Sequence, residues 1–156
     1  MQKISAGILL YRFHSGEIQF LLVHPGGPFF KKKDYGAWTI PKGEPNDAED
    51  LTECALREFK EETGIELHEP LTPLTPVKQK GGKTVFAWAC QKNVSTNEIL
   101  SNSFQLEWPP HSGRQQQQFP EIDRAEWFSS SIALDKINPA QRALILEAAE
   151  KVSTML

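Results

Sequence analysis

Apolar positions along the chain fall into continuous runs and periodic ones. Ile4–Tyr11 and Ile18–His24 are unbroken apolar, β-favouring runs, and His14-Ser15-Gly16-Glu17 between them reads as a turn. Together they predict a hairpin. Pro25-Gly26-Gly27-Pro28 breaks the chain, Lys31-Lys32-Lys33-Asp34 follows as an exposed loop, and Trp38-Thr39-Ile40 is a short strand candidate stopped by Pro41. A helical pattern comes next. Asn46 or Asp47 is the candidate N-cap, with Glu49 or Asp50 three residues on, the helix runs to about Thr63, and Gly64 caps it. Leu74–Gln79 and Thr84–Gln91 are further strand candidates. Asn93–Pro120 is long, polar and irregular, and reads as an elaborated loop over a site, with a short strand near Phe104–Trp108. Ala125–Phe128 reads as a last strand, and Asn138-Pro139 opens a helix from Pro139 to about Ser153. No repeat or dividing linker interrupts this order, which predicts one mixed α/β domain over residues 1–156, its sheet held between helices.

Composition narrows the function classes. The chain has 156 residues, 39% apolar and 24% charged, enough to bury a core without staples. Cys54 and Cys90 lie far apart, so neither a disulfide framework nor a zinc cluster is predicted. The net charge of −3 argues against a general nucleic-acid coat, and no nucleic-acid partner is expected. The first apolar run lacks a small-residue cleavage site, and no run reaches membrane-spanning length. A cytoplasmic protein without a membrane partner is the simplest expectation.

The charge is unevenly placed. Glu44–Glu66 holds nine acids against Arg57 and Lys60, a net −7, which leaves +4 on the other residues. At about 100° per residue, Glu58, Glu61 and Glu62 project from one arc of the helix, while Ala55, Leu56 and Phe59 turn toward the core. Ionised carboxylates stacked at this spacing repel one another and cost helix stability. Oxygen ligands at such density suit a hard cation, Mg²⁺ or Mn²⁺, better than Zn²⁺. A solvated, glutamate-rich surface helix explains the same residues equally well.

The flanking spacing separates these readings. Gly43, five residues, Glu49, seven residues, Arg57-Glu58-Phe59, one residue, Glu61-Glu62, one residue, Gly64-Ile65 resembles the signature of the Nudix hydrolase family at each fixed position. Phe59 stands where that family usually carries an aliphatic residue. The resemblance implies the Nudix fold and metal-dependent hydrolysis of a nucleoside diphosphate linked to another group. It implies Glu58, Glu61, Glu62 and the Gly43 carbonyl as metal ligands, and Glu62 or Glu58 as the group activating water. It also implies that Arg57 pairs with Glu49 and holds the loop onto the helix.

Other residues are candidates around that site. Glu121 and Glu107 are candidates for a further carboxylate, with Glu121 preferred because it precedes the Trp127-Phe128 strand. Lys42 lies in a Pro-Lys-Gly lead-in similar to that of Nudix members acting on polyphosphates, and is a candidate phosphate contact. Lys78, Lys80 and Lys83 are either a phosphate-facing patch or a plain exposed hairpin. Trp38 is a candidate for stacking on a base, with core packing as the alternative. Trp108, Pro109-Pro110 and Arg114 are either a substrate lid or a structural elaboration. The four histidines receive no catalytic role. The expected substrate is a dinucleoside polyphosphate or nucleoside triphosphate. A nucleotide sugar, and a catalytically silent nucleotide- or partner-binding module, are the alternatives. The oligomeric state is left open.

Overall fold

The computed structural model describes residues 3–111, 113 and 116–154. The first two strands form the predicted hairpin. β1 (Ile4–His14) and β2 (Glu17–Pro25) pair antiparallel, with His14 opposite Glu17. Ser15 and Gly16 both take positive φ, the backbone that matches a two-residue turn to the strand twist. β3 (Lys42–Gly43) follows, then α1 (Leu51–Thr63), β4 (Leu71–Pro73), β5 (Val77–Lys78) and β6 (Thr84–Gln91). β7 (Ser103–Leu106), β8 (Gln117–Pro120) and β9 (Ile122–Ser129) lead to α2 (Ser130–Lys136) and α3 (Arg142–Thr154).

The main sheet has the order β4-β6-β1-β2-β9, with β3 added on β1 and β5 on β6. β1 and β6 run parallel and the other neighbours antiparallel, so the sheet is mixed. Both faces are covered. Ala6, Ile8 and Leu10 point to one side and pack with Cys54, Ala55 and Phe59 of α1. Leu9 and Tyr11 point to the other and pack with Ala133 of α2 and Leu144, Ile145 and Ala148 of α3. Two-sided burial explains why β1 reads as a continuous apolar run rather than an alternating one. Phe59 is fully buried. Burial of a side chain of this size contributes on the order of 2 kcal/mol.

Four local expectations differ from the structure. The α1 N-cap is Asp50, not Asn46 or Asp47. Its carboxylate accepts from the Thr52 and Glu53 N–H groups at 3.1 and 3.3 Å. The preceding stretch closes a separate turn in which the Glu49 Oε1 accepts the Asn46 N–H at 3.0 Å. Of the predicted strand Leu74–Gln79 only Val77–Lys78 (β5) joins the sheet; β4 ends just before it at Pro73, and Pro76 has no N–H to give a ladder. Trp38-Thr39-Ile40 makes two isolated bridges instead of a strand. Asn138-Pro139 opens a short 3₁₀ turn, and α3 begins only at Arg142. Gly64 ends α1 as predicted, at φ 77°, donating to the Lys60 carbonyl at 2.7 Å. Among the described residues no helix is long and apolar enough to cross a membrane.

Candidate active site

The site is built on a half-buried arc of α1 and the two residues of β3. Arg57 is its organising cation. Its guanidinium forks onto Glu49, Nε to Oε2 at 2.8 Å and Nη2 to Oε1 at 2.9 Å. Nη1 donates to Glu58 at 2.9 Å and to Glu61 at 3.2 Å, and Nη2 also reaches the Glu44 carbonyl at 3.1 Å. One side chain thus ties the loop before the helix to two of the acids on it. The pairing lowers the Glu49 carboxyl to about 2, with the Asn46 N–H adding to the effect.

The acids behind Arg57 stand in a different environment. Burial pushes Glu58 above the usual carboxylate range, against the pull of Arg57. Glu62 is pushed up to about 8, first by burial and then by the charge of Glu58. Its Oε2 is buried with no hydrogen-bond partner among the described residues. Glu121, at the end of the β8–β9 junction, is also raised by burial and by Glu58 and Glu61. A carboxylate far along the sequence therefore joins the acids of α1. Lys42 is half-buried beside them, its pKa lowered by burial and by Lys83, with Glu62, Glu58 and Glu44 opposing. Lys83 lies 3.6 Å from Glu44.

Gly43 is required by contact. A Cβ at this position would fall on the Glu58 carboxyl group. Its carbonyl faces Cys54 Sγ at 3.6 Å, so the backbone of β3 is pressed against α1. Gly43→Ala is expected to displace Glu58 and lower turnover about 100-fold, the scale of a shift near 1 Å at a reacting centre. Circular dichroism should stay unchanged and manganese binding, read by electron paramagnetic resonance, should weaken. Full activity would show that the Glu58–Gly43 contact does not matter.

The arrangement fits a divalent cation. A buried, unpartnered carboxylate oxygen on Glu62 costs free energy that a bound ion would relieve. Oxygen-only donors on one helix arc suit hard cations. Among the described residues no three acids are closed into one chelate, and Arg57 holds Glu58 and Glu61 in its own bonds.

The structure therefore brings together Gly43, Glu49, Arg57, Glu58, Glu61, Glu62, Lys42, Lys83 and Glu121. It does not bring in the others. Glu107 accepts the Gly113 N–H at 2.8 Å, which holds it within its own loop. Lys78 and Lys80 are exposed on the hairpin before β6. Trp38 is a correction: it is 1% exposed, donates its indole N–H to Asp34 at 2.8 Å, and packs on Phe128, leaving no face for a base. Arg114 lies outside the described residues. Sequence reasoning missed two contacts, the Glu44 carbonyl on Arg57 and Cys54 against Gly43. Backbone acceptors and buried thiols carry no motif signal.

The NUDIX domain model matches residues 1–148. The chain belongs to the NUDIX family. The asymmetrical bis(5'-nucleosyl)-tetraphosphatase of Caenorhabditis elegans is 33% identical over 107 residues, 65% of this chain and 73% of that protein. That of Rattus norvegicus is 31% identical over 114 residues, 65% of this chain and 74% of that protein. The crystal structure of a C. elegans Ap4A hydrolase binary complex matches with a TM-score of 0.65 and 25% identity, covering 97% of this chain and 98% of that one. This NUDIX chain is a pyrophosphohydrolase, and Nudix hydrolases generally need divalent metal ions. The acid arc of α1 and the Gly43 contact lie within the residues matched by the family model.

Proposed function

We propose that this protein hydrolyses the polyphosphate chain of a dinucleoside polyphosphate or nucleoside triphosphate, using Mg²⁺ or Mn²⁺ held by Glu58, Glu61, Glu62 and the Gly43 carbonyl. Glu121 is the further carboxylate in this reading. The observation that carries it is the desolvated Glu62, with one oxygen unpartnered, inside a cluster of like charges. Arg57 offsets the repulsion at Glu58 and Glu61, but no bond from it reaches Glu62, whose buried oxygen is a cost that a bound cation would relieve. The tetraphosphatase names of two relatives support the substrate class.

The chemistry follows from charge. A polyphosphate is a dense anion that repels both the acid arc and an incoming hydroxide. A bound divalent ion would supply the positive charge that bridges these partners and lower the pKa of a coordinated water. Glu62 or Glu58 takes the proton as water attacks phosphorus, and the leaving nucleotide departs as its phosphate anion. Lys42, half-buried among acids, meets a phosphate oxygen and stabilises the charge that develops there. Arg57 keeps the Glu44–Glu49 loop in register with the helix during the reaction.

A substrate panel tests the reading. Purified protein with Mg²⁺ or Mn²⁺ would be offered a diadenosine tetraphosphate, nucleoside triphosphates and nucleotide sugars, with products resolved by chromatography. Polyphosphate substrates are expected to exceed nucleotide sugars in kcat/KM by roughly tenfold or more, and chelation should abolish turnover. A preference for nucleotide sugars would overturn the substrate class. No product from any compound would favour the silent binding module.

A further inference from the structure

Beside Glu121 lies a second cluster that the acid arc does not use. The loop after β2 and the β7–β8 hairpin enclose a cavity of about 730 Å³, within the range of ligand pockets. Phe29, Trp108 and Phe119 wall it, and Lys31, Lys32 and Lys33 line its rim. Phe29 and Trp108 meet edge to face, with centroids 5.1 Å apart. Phe29 is nonetheless 55% exposed, so an aromatic ring stands open beside three cations.

The lysine tract is anchored from the core. His24 is fully buried, and its Nε2 donates to the Lys33 carbonyl at 2.7 Å. Its Nδ1 meets the Asp123 carboxylate, also at 2.7 Å. Asp123 lines the same cavity, and Arg124 lies 3.8 Å from it, so the one acid on the wall is matched by neighbouring basic groups. The surplus on the rim is positive. The cavity also adjoins the acid arc through the chain itself. Pro120 lines the cavity, the next residue is Glu121, and the Glu121 carbonyl accepts the Gly26 N–H at 2.8 Å.

We propose that this cavity is a nucleobase subsite, in which Trp108 and Phe29 stack on the base and Lys31–Lys33 meet the phosphates that lead toward Glu121. An aromatic wall with a cationic rim is the pairing that recognises a base joined to an anionic chain. The subsite rests on the hydrolase reading only for the direction in which the phosphates run.

Binding is read without turnover, in chelator, with ADP as the probe and tryptophan fluorescence as the signal. ADP is expected to quench the wild type, and Trp108→Phe should lose most of that quench, since Trp108 lines the cavity while Trp38, Trp88 and Trp127 do not. Trp108→Ala and Phe29→Ala are each expected to weaken ADP binding roughly tenfold, as loss of one stacking partner does. Inorganic tripolyphosphate, which has no base, should bind both variants as it binds the wild type. Replacing Lys31, Lys32 and Lys33 by Ala should weaken both ligands. Unchanged ADP affinity in Trp108→Ala and Phe29→Ala, equal weakening of tripolyphosphate, or no ADP binding to the wild type would each overturn the subsite. A protein that binds ADP in this way but hydrolyses nothing keeps the subsite and loses the hydrolase reading. If Trp108→Ala does not fold, the exposed Phe29→Ala decides alone.

Discussion

Glu62→Gln is expected to lower turnover roughly a thousandfold while making the metal-free protein more stable at alkaline pH. The two effects have one cause. Glu62 is desolvated, with a buried oxygen that has no partner among the described residues, and its carboxyl is pushed up to about 8. In the unfolded chain a glutamate titrates near 4.3. Between these values the folded chain keeps a proton that the unfolded chain has lost, so stability falls as pH rises from about 4.3 through about 8. Glutamine stays neutral throughout and escapes that loss. Thermal scans in chelator should show the variant and wild type equal near about pH 4, with the variant ahead by on the order of 5 °C above about pH 8. Parallel curves across the range would mean that Glu62 titrates as an ordinary carboxylate. Unchanged turnover would mean that the cation site lies elsewhere. A stabilised but inactive variant is a result that a purely structural glutamate would not produce.

Arg57→Ala is expected to act in the opposite sense, with loss of stability and activity together. Removing it breaks the fork to Glu49 and frees Glu58 and Glu61 to repel each other without their shared cation. Turnover should fall about 100-fold, because the acids lose their common orientation. The melting temperature should drop by several degrees near neutral pH. The pH dependence again has a definite sign. Arg57 holds Glu49 at about 2, so its contribution is present above the unfolded carboxylate value and is lost as pH falls through about 2. The gap between wild type and variant should therefore be widest above about pH 5 and close in acid. Arg57→Lys restores the charge but not the planar fork, and should recover only a small part of either property. A fully active lysine variant would show that a point charge is enough.

The two variants separate what each residue does within one cluster. Glu62 destabilises the metal-free fold and, in the proposed reading, serves the chemistry. Arg57 stabilises the loop–helix junction and serves chemistry through it. Such opposed stability effects, only residues apart on one helix, are expected where function asks for buried like charge.

Much of the acid arc was legible before any tertiary information. The spacing from Gly43 to Ile65 is local, and on a helix local spacing is geometry: i, i+3 and i+4 share a face wherever the helix sits. The Arg57–Glu49 pair was legible through the resemblance to the family signature rather than through helical spacing, since Glu49 lies before the helix. The β1–β2 hairpin and the Gly64 cap were likewise written in neighbouring residues. Even the N-cap error was a displacement of a few residues, because Asn46, Asp47 and Asp50 are chemically interchangeable as caps until the backbone chooses one.

Other features depended on packing between distant segments. Glu121 was preferred to Glu107 only for its place before the Trp127-Phe128 strand; in the fold Glu107 closes its own loop on Gly113 and Glu121 reaches the acids of α1. Trp38 had both a stacking and a core reading along the chain, and only its enclosure by Phe128 and Asp34 decides for the core. The aromatic–lysine cavity joins residues near position 30 to residues near position 110. Along the sequence it appeared only as a lysine loop and, far from it, a Trp108 segment that was either a substrate lid or a structural elaboration. Helical spacing is set by local dihedrals and i→i−4 hydrogen bonds, and holds wherever the helix forms. Burial, and with it the raised Glu62 carboxyl and the anchored His24, exists only once remote strands and loops exclude water from the same place.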